Sequence, residues 1–152
     1  MQTICSTGVR ISELKYITCE AVNNGRATID CKGKIRQVFL PGQLCKMLKL
    51  YIRQHHIESG PVFITRSGKP LDRSTIWKMM KDLCSNANVT KNKVFPHNFR
   101  HLFARTFYSV QKDIVRLADI LGHSNIETTR IYTKESGDVH LMQIQRLGLL
   151  KC

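Results

Sequence analysis

The chain has 152 residues, of which 42% are hydrophobic, and its formal net charge is +13. This length and composition suit one folded domain and exclude a disordered tail. The sequence has no apolar run of the roughly 18 residues that a membrane span needs and no pattern of a secretory signal, so we expect a cytosolic protein. Because soluble surfaces normally intersperse both signs of charge, the positive surplus indicates a polyanionic partner. Nucleic acid is favoured over a membrane surface as that partner.

Six cysteines are spread along the chain without a CxxC pair. Their spacing matches no zinc-binding pattern, and no acidic cluster suitable for Mg²⁺ is evident. We therefore expect free thiols in a reducing compartment, and we expect the protein to use no metal and no cofactor.

The first third of the chain predicts short helices followed by a hairpin. Ile4-Cys5 runs into Ser6-Thr7-Gly8 as the end of a helix would, and the next helix starts at 11–14. After a turn signal at Asn23-Asn24-Gly25, an alternating strand and a return strand predict a β-hairpin over residues 26–40. The tip of this hairpin is basic.

The rest of the chain is predicted to be helical apart from a short strand at 62–64. Apolar residues recur at helical spacing over 44–52, 76–83, 96–107, 114–121 and 139–150. A capping box formed by Ser124 and Glu127 predicts a further short helix that begins at Asn125 and carries Tyr132 near its end. Trp77, the only tryptophan, is expected to lie in the core, with a base-stacking platform as the alternative. The predicted fold class is mostly α with a small antiparallel β-sheet (α+β).

Four local patterns carry side chains that suit a phosphodiester: TGVRISEL at 7–14, Lys32 at the hairpin tip, HNFRH at 97–101, and LGH at 121–123 followed by Tyr132. Arginine pairs with phosphate oxygens through two hydrogen bonds and stays charged. Lysine can protonate a leaving alkoxide, and histidine titrates near neutrality. Tyrosine becomes a covalent nucleophile once its proton is removed.

The segments TGVRISEL, HNFRH and LGHSNIETTRIY, in this order, resemble the tyrosine recombinase (phage integrase) family over roughly residues 7–133. The resemblance implies that Tyr132 attacks the scissile phosphate and forms a 3′-phosphotyrosyl link, which the 5′-hydroxyl of a partner strand then resolves. It implies that Arg10 and Arg100 hold the non-bridging oxygens and that His123 donates a further hydrogen bond. It also implies that Lys32 protonates the leaving oxygen and that His97 acts as a base or an orienting group.

Several assignments stay open at this point. Lys34 competes with Lys32 because the hairpin looks about one residue shorter than in common relatives. His97 could instead satisfy backbone groups at a helix start, while His101 is expected to help packing or orientation. Among the four tyrosines, only Tyr132 combines the spacing from His123 with polar flanks.

The resemblance also sets expectations for the whole chain. We expect residues 1–152 to form a single catalytic domain that lacks its first helix and an N-terminal DNA-binding domain. The expected partner is double-stranded DNA, with self-association into a tetrameric synapse and no membrane. The expected location is the bacterial cytoplasm, near the nucleoid. The expected origin is a prophage or another mobile element. The alternatives are a DNA-binding fragment that is inactive in isolation and a basic RNA-binding module. The C-terminal helix could dock on its own domain or on a neighbouring subunit.

Overall fold

The computed structural model describes residues 1–31, 33–90, 94–132 and 145–146. Within these ranges the chain is mostly helical, with one antiparallel hairpin, as the sequence predicted. The elements in chain order are α1 (Gln2–Thr7), a 3-10 helix (Ile11–Tyr16), α2 (Cys19–Asn24), β1 (Arg26–Cys31), β2 (Lys34–Phe39), α3 (Gly42–Gln54), α4 (Arg73–Asn86), α5 (Pro96–Gln111), α6 (Ile114–Leu121) and α7 (Glu127–Arg130).

Local caps mark the start of α2, α4 and α6 and the end of α6. The Thr18 side chain accepts a hydrogen bond from the Ala21 N–H at the start of α2, and Asp72 and Asp113 do the same for α4 and α6. Gly122 adopts the left-handed conformation at the end of α6. Such caps satisfy backbone groups that a helix end would otherwise leave without partners.

The hairpin pairs β1 with β2 in a register that joins Cys31 to Lys34 and Ile29 to Arg36. Ala27, Ile29 and Val38 are buried on the inner face. Since side chains alternate along a strand, Arg36 shares this inner face with Val38. The hairpin therefore brings one arginine toward the body of the protein.

Over the residues that the structure describes, two hydrophobic clusters make up the core. The larger one joins α1, the 3-10 helix, α2, the hairpin, α3 and α4, with Ile17 and Val62 among its fully buried members. The smaller one joins α5 and α6 with Tyr132 through Ala104 and Leu117. Helix α5 packs against both α1 and α6, so it is the element that connects the two clusters.

Three details of the sequence prediction were wrong. Residues 62–64 do not form a strand, and this region contributes only isolated bridges, Thr18 with Pro61 and Ile64 with Pro70. Trp77 is 46% exposed and not in the core. Helix α7 starts at Glu127, whose N–H bonds to the Asn125 side chain, and it ends before Tyr132.

Two predictions can be compared with the structure only over the residues that it describes. The proposed last helix over 139–150 lies outside them, apart from 145–146. None of the helices in the described part of the chain is long and apolar enough to cross a membrane.

Candidate active site

Arg10 stands at the start of the 3-10 helix and is held there by Glu13. Its guanidinium Nη1 lies 2.9 Å from Glu13 Oε1, and its backbone N–H donates to Glu13 Oε2 at 2.7 Å. The second terminal nitrogen, Nη2, donates to the carbonyl oxygen of Gly122 at 3.3 Å. Arg10 thus joins the turn after α1 to the end of α6 while keeping a partly exposed side chain.

Arg36 is a second partner of Glu13, and the sequence motifs did not single it out. Its Nη2 lies 2.6 Å from Glu13 Oε2, and its Nη1 donates to the carbonyl of Ile120 at 3.1 Å. The signal that could have found it is the strand alternation, which places a cation on the inner face of the hairpin. An inward cation requires a buried partner, and Glu13 supplies it.

Glu13 is 1% exposed and remains a carboxylate. Burial by itself would raise its pKa, but the hydrogen bond from the Arg10 backbone and the charges of Arg36 and Arg10 outweigh burial and lower the pKa below its usual value. The carboxylate therefore fixes two arginines through charge-assisted hydrogen bonds.

Arg100 is the most deeply placed cation of the site, with 4% of its surface exposed. Its Nη1 donates to the Gly8 carbonyl, and its Nη2 donates to the Leu121 carbonyl at 2.6 Å and contacts His123 Nε2 at 3.1 Å. Burial, followed by the charge of Arg10, lowers its pKa to about 10. Among the described contacts these bonds use three of the five N–H donors of the guanidinium, which leaves two for a phosphate oxygen.

His123 is held between Arg100 and Thr129. Because a guanidinium can only donate, His123 Nε2 accepts from Arg100, so Nδ1 carries the proton and donates to Thr129 Oγ1 at 2.8 Å. Burial and then the neighbouring charges of Arg100, Arg10 and Arg36 lower the pKa of His123 to about 4. The imidazole is therefore neutral, and in this state its Nε2 is an acceptor.

Tyr132 packs among histidine rings and is 7% exposed. Its ring makes an edge contact with His101, with centroids 4.7 Å apart, and lies nearly parallel to His123 at 6.4 Å. His101 in turn makes an edge contact with His97 at 4.2 Å. Burial, then the charges of His97, Arg105 and Arg100, lower the pKa of His101. His101 thus orients both neighbouring rings, consistent with the packing role expected for it.

Arg10, His97 and Arg100 line one cleft of about 440 Å³. Tyr132 is connected to this cleft through His123, whose ring lies nearly parallel to the Tyr132 ring and whose Nε2 contacts Arg100. The structure therefore brings together five of the six residues that the motifs predicted: Arg10, His97, Arg100, His123 and Tyr132.

The predicted catalytic lysine, Lys32, lies outside the described residues. Lys34, its rival, is exposed at the first position of β2, and Gly33 beside it has a positive φ of 73°. The choice between the two lysines stays a prediction.

In the described ranges, no group of three or more His, Cys, Asp or Glu side chains is arranged to hold a metal ion. The charges that converge on the cleft belong to arginines. Such a site is suited to bind an anion with two or more oxygens.

Over the described residues, the helical fold with one hairpin and an arginine cluster near Tyr132 is that of tyrosine recombinase and integrase catalytic domains. The model of the phage integrase family matches residues 1–137, and the chain belongs to this family. It is similar to tyrosine recombinase XerD of Staphylococcus saprophyticus, with 37% identity over 145 residues, covering 90% of this chain and 49% of that protein.

Solved structures agree on the fold. The crystal structure of XerA recombinase is 27% identical with a TM-score of 0.76, and the match covers 99% of this chain and 56% of that one. XerH recombinase bound to its difH substrate has a TM-score of 0.77 at 24% identity, covering 97% of this chain and 45% of that one. The chain spans about half the length of the XerD proteins that it matches.

Proposed function

We propose that this chain cleaves and rejoins double-stranded DNA through a phosphotyrosyl link on Tyr132. The observation that carries the proposal is the placement of Arg100, a cation that is 4% exposed but lines an open cleft together with Arg10. Desolvating a cation is costly unless its charge is used, and preorganised donors of this kind stabilise charge that develops in a transition state.

In the proposed reaction the Tyr132 oxygen gives up its proton and attacks phosphorus, while the bond from phosphorus to the 5′-oxygen breaks. The leaving 5′-oxygen takes a proton, which we assign to Lys32, with Lys34 as the alternative. A 5′-hydroxyl then attacks the 3′-phosphotyrosyl link and releases Tyr132. Two oxygen–phosphorus bonds are exchanged and none is lost, so the cycle balances without an external energy source.

The neighbouring residues have separate tasks in this proposal. Arg10 and Arg100 bind the non-bridging oxygens, and His97, exposed on the rim of the cleft, orients the phosphate or takes the tyrosine proton. His123 now accepts from Arg100, so its donation to phosphate would require a proton on Nε2. The finer assignments belong to the same proposal: a tetrameric synapse on DNA, the bacterial cytoplasm or nucleoid, and a prophage or mobile element as the origin.

One observation favours a second candidate, a DNA-binding fragment that is inactive in isolation. Tyr132 is 7% exposed and packs in the smaller core cluster, so most of its surface is covered by this chain and little of it is open to DNA. A relative that shares this fold, XerH, was solved bound to its difH substrate, which supports duplex DNA as the ligand in both candidates.

The test uses a nicked duplex that traps the covalent intermediate, with the protein–DNA adduct measured on a denaturing gel. The wild-type chain is expected to form an adduct, and Tyr132→Phe is expected to form none. Tyr51→Phe, a matched change at a tyrosine of the larger cluster, should keep the adduct. An adduct that persists in Tyr132→Phe would contradict the nucleophile, whereas wild-type binding without an adduct would favour the second candidate.

A further inference from the structure

The C-terminal end of α6 is held by three arginines that come from three other parts of the chain. Three successive carbonyl oxygens at this end each accept a hydrogen bond from one guanidinium. The pairs are Arg36 Nη1 with Ile120 at 3.1 Å, Arg100 Nη2 with Leu121 at 2.6 Å, and Arg10 Nη2 with Gly122 at 3.3 Å. The last carbonyls of a helix have no partner within it and carry the negative end of its dipole, so cations stabilise them.

Arg36 differs from the other two arginines because it is not among the residues that line the cleft. Its side chain is 15% exposed, and both terminal nitrogens are engaged within the protein: Nη1 with Ile120 and Nη2 with Glu13 Oε2 at 2.6 Å. A single guanidinium therefore joins β2, the 3-10 helix and the end of α6. A planar, permanently charged fork suits such a junction, because it reaches two acceptors in a fixed geometry.

The fold keeps space for Arg36 at Gly122. A Cβ at this position would overlap Arg36 Nε and would lie 2.6 Å from Arg36 Cδ. A side chain at position 122 would thus push the guanidinium away from both of its acceptors. The glycine that ends α6 and the arginine of β2 therefore depend on each other.

The helix end that Arg36 holds leads directly to the cleft. The Leu121 carbonyl at this end receives Arg100, and His123, two residues later, has its Nε2 3.1 Å from Arg100 Nη2. A movement of the end of α6 would change the direction of the Arg100 donors and of the His123 ring together. In a preorganised site, a misplacement of about 1 Å costs about 100-fold in rate.

We propose that Arg36 is a positioning residue for the cleavage reaction, which fixes the end of α6 so that Arg100 and His123 face the scissile phosphate. Gly122 belongs to the same device because it leaves the space that Arg36 occupies. The inference rests on the proposed function, since it assumes that the phosphate binds beside Arg100. Arg36 itself makes no bond to DNA in this proposal and moves no proton.

The first experiment measures rate and affinity separately on the full 152-residue chain. The rate of adduct formation is followed at saturating nicked duplex, and duplex affinity is measured by anisotropy over a range of salt concentrations. Arg36→Lys keeps the charge but loses the two-pronged geometry, so we expect the rate to fall about 100-fold. The dissociation constant and its salt dependence should stay as in the wild type, because Arg36 pairs with no phosphate. Arg26→Lys, at an exposed arginine of the same hairpin, is the matched control and should change neither quantity.

The second experiment displaces the guanidinium from the other side. Gly122→Ala is expected to slow adduct formation, and the double variant with Arg36→Lys should be no slower than the slower single variant, because both act on the same contact. Gly25→Ala controls for backbone strain, since Gly25 has a φ of 68° and the added Cβ meets only the Leu40 oxygen at 4.0 Å. It should leave the rate unchanged. Losses that multiply in the double variant would contradict the shared device.

A third measurement reports on the site without cleavage. The imidazole signals of His123 are recorded by NMR on the free chain and are identified by their absence in His123→Gln. Arg36→Lys should shift these signals, and Arg26→Lys should not. Unchanged signals in Arg36→Lys would overturn the inference whether or not the chain cleaves DNA.

Failure of the inference and failure of the proposed function give different results. If the wild type forms the adduct and Arg36→Lys forms it at the same rate, Arg36 has no positioning role and the proposed function stands. A weaker affinity with a lower salt slope in Arg36→Lys would make Arg36 a phosphate ligand, which also overturns the inference. If the wild-type chain forms no adduct, the proposed cleavage fails, and the His123 signals alone decide whether Arg36 orients the site. Circular dichroism on each variant confirms that a slower rate does not come from unfolding.

Discussion

At the scale of single residues, Glu13 determines where the cations of the site lie. It is buried between Arg10 and Arg36, and these two arginines also act by charge on Arg100. Without the carboxylate, three guanidinium groups would share one region with no opposite charge. Glu13 is therefore a positioning residue that acts on the cleft through the two arginines it binds.

We expect Glu13→Gln to lower the free energy of unfolding by about 3–5 kcal/mol, because it leaves buried arginine charge without its partner. Urea unfolding followed by circular dichroism measures the change. Glu58→Gln, at an exposed glutamate, is the control and should stay within about 0.5 kcal/mol of the wild type. Equal unfolding midpoints for the two variants would contradict the role assigned to Glu13.

His123 provides a residue-scale prediction for pH. Its pKa is lowered from 6.5 to about 4 by burial and by the charge of Arg100, so the unfolded chain takes up this proton at a higher pH than the folded chain. The contribution of neutral His123 to the free energy of unfolding is therefore fully present above about pH 6.5, and it is lost as the pH falls toward about 4. We expect the stability difference between wild type and His123→Gln to shrink over this window.

Urea unfolding at several pH values from 7 to 4 checks this expectation. Val110→Ala, at an exposed position that adds no titrating group, should keep a constant offset from the wild type over the same range. A constant offset for His123→Gln as well would mean that its protonation is not linked to folding.

At the scale of elements, the site depends on how the end of α1 meets α5 and α6. Gly8 ends α1 with a φ of 67°, and its carbonyl receives Arg100. A Cβ at this position would lie 2.5 Å from Phe103 Cδ1 of α5 and 3.0 Å from Leu121 Cδ2 of α6. Glycine is thus required here both for the backbone conformation and for the close approach of three helices.

Gly8→Ala is expected to destabilise the protein by about 2–5 kcal/mol, the sum of left-handed backbone strain and overpacking. Gly68→Ala isolates the first contribution, because Gly68 has a φ of 77° with no atom within 4 Å of the added Cβ. It should cost only about 1–2 kcal/mol. Thermal or urea unfolding compares the two, and equal losses would show that the contact with Phe103 is readily relieved.

The elements themselves were largely predictable, and the exceptions have physical reasons. The hairpin over 26–40 and the helix ended by Gly122 follow from alternation and capping, which are local. The apolar run at 62–64 is typical of a strand, but in the described residues it pairs with no strand. This region forms only the isolated bridges of Pro61 with Thr18 and of Ile64 with Pro70. Helix α7 has no side-chain cap from Ser124; the Glu127 N–H bonds to the Asn125 side chain, and the helix ends before Tyr132.

At the scale of the whole molecule, the positive charge favours one kind of partner, and the packing of the two core clusters places the cations of the site. The net charge of +13 favours a phosphate-rich partner. Helix α5 joins the clusters and carries both His97 and Arg100, so packing the core also assembles the cation site. The proposed binding of DNA at this cleft would therefore depend on the docking of α5 between α1 and α6.

The sequence by itself determined the family, the helical class with its hairpin, and most of the residues that converge on the cleft. It could do so because motifs and hydrophobic periodicity involve residues that are close together in the sequence. Only the tertiary structure decided that Arg36 joins Arg10 on Glu13, that His123 accepts from Arg100, and that Trp77 is exposed beside the cleft. The contacts of Arg36 with Glu13 and of Arg100 with His123 each join residues 23 positions apart, and the exposure of Trp77 depends on which face of α4 is left uncovered. Spacing along the chain does not contain that information, because it arises when separate elements pack.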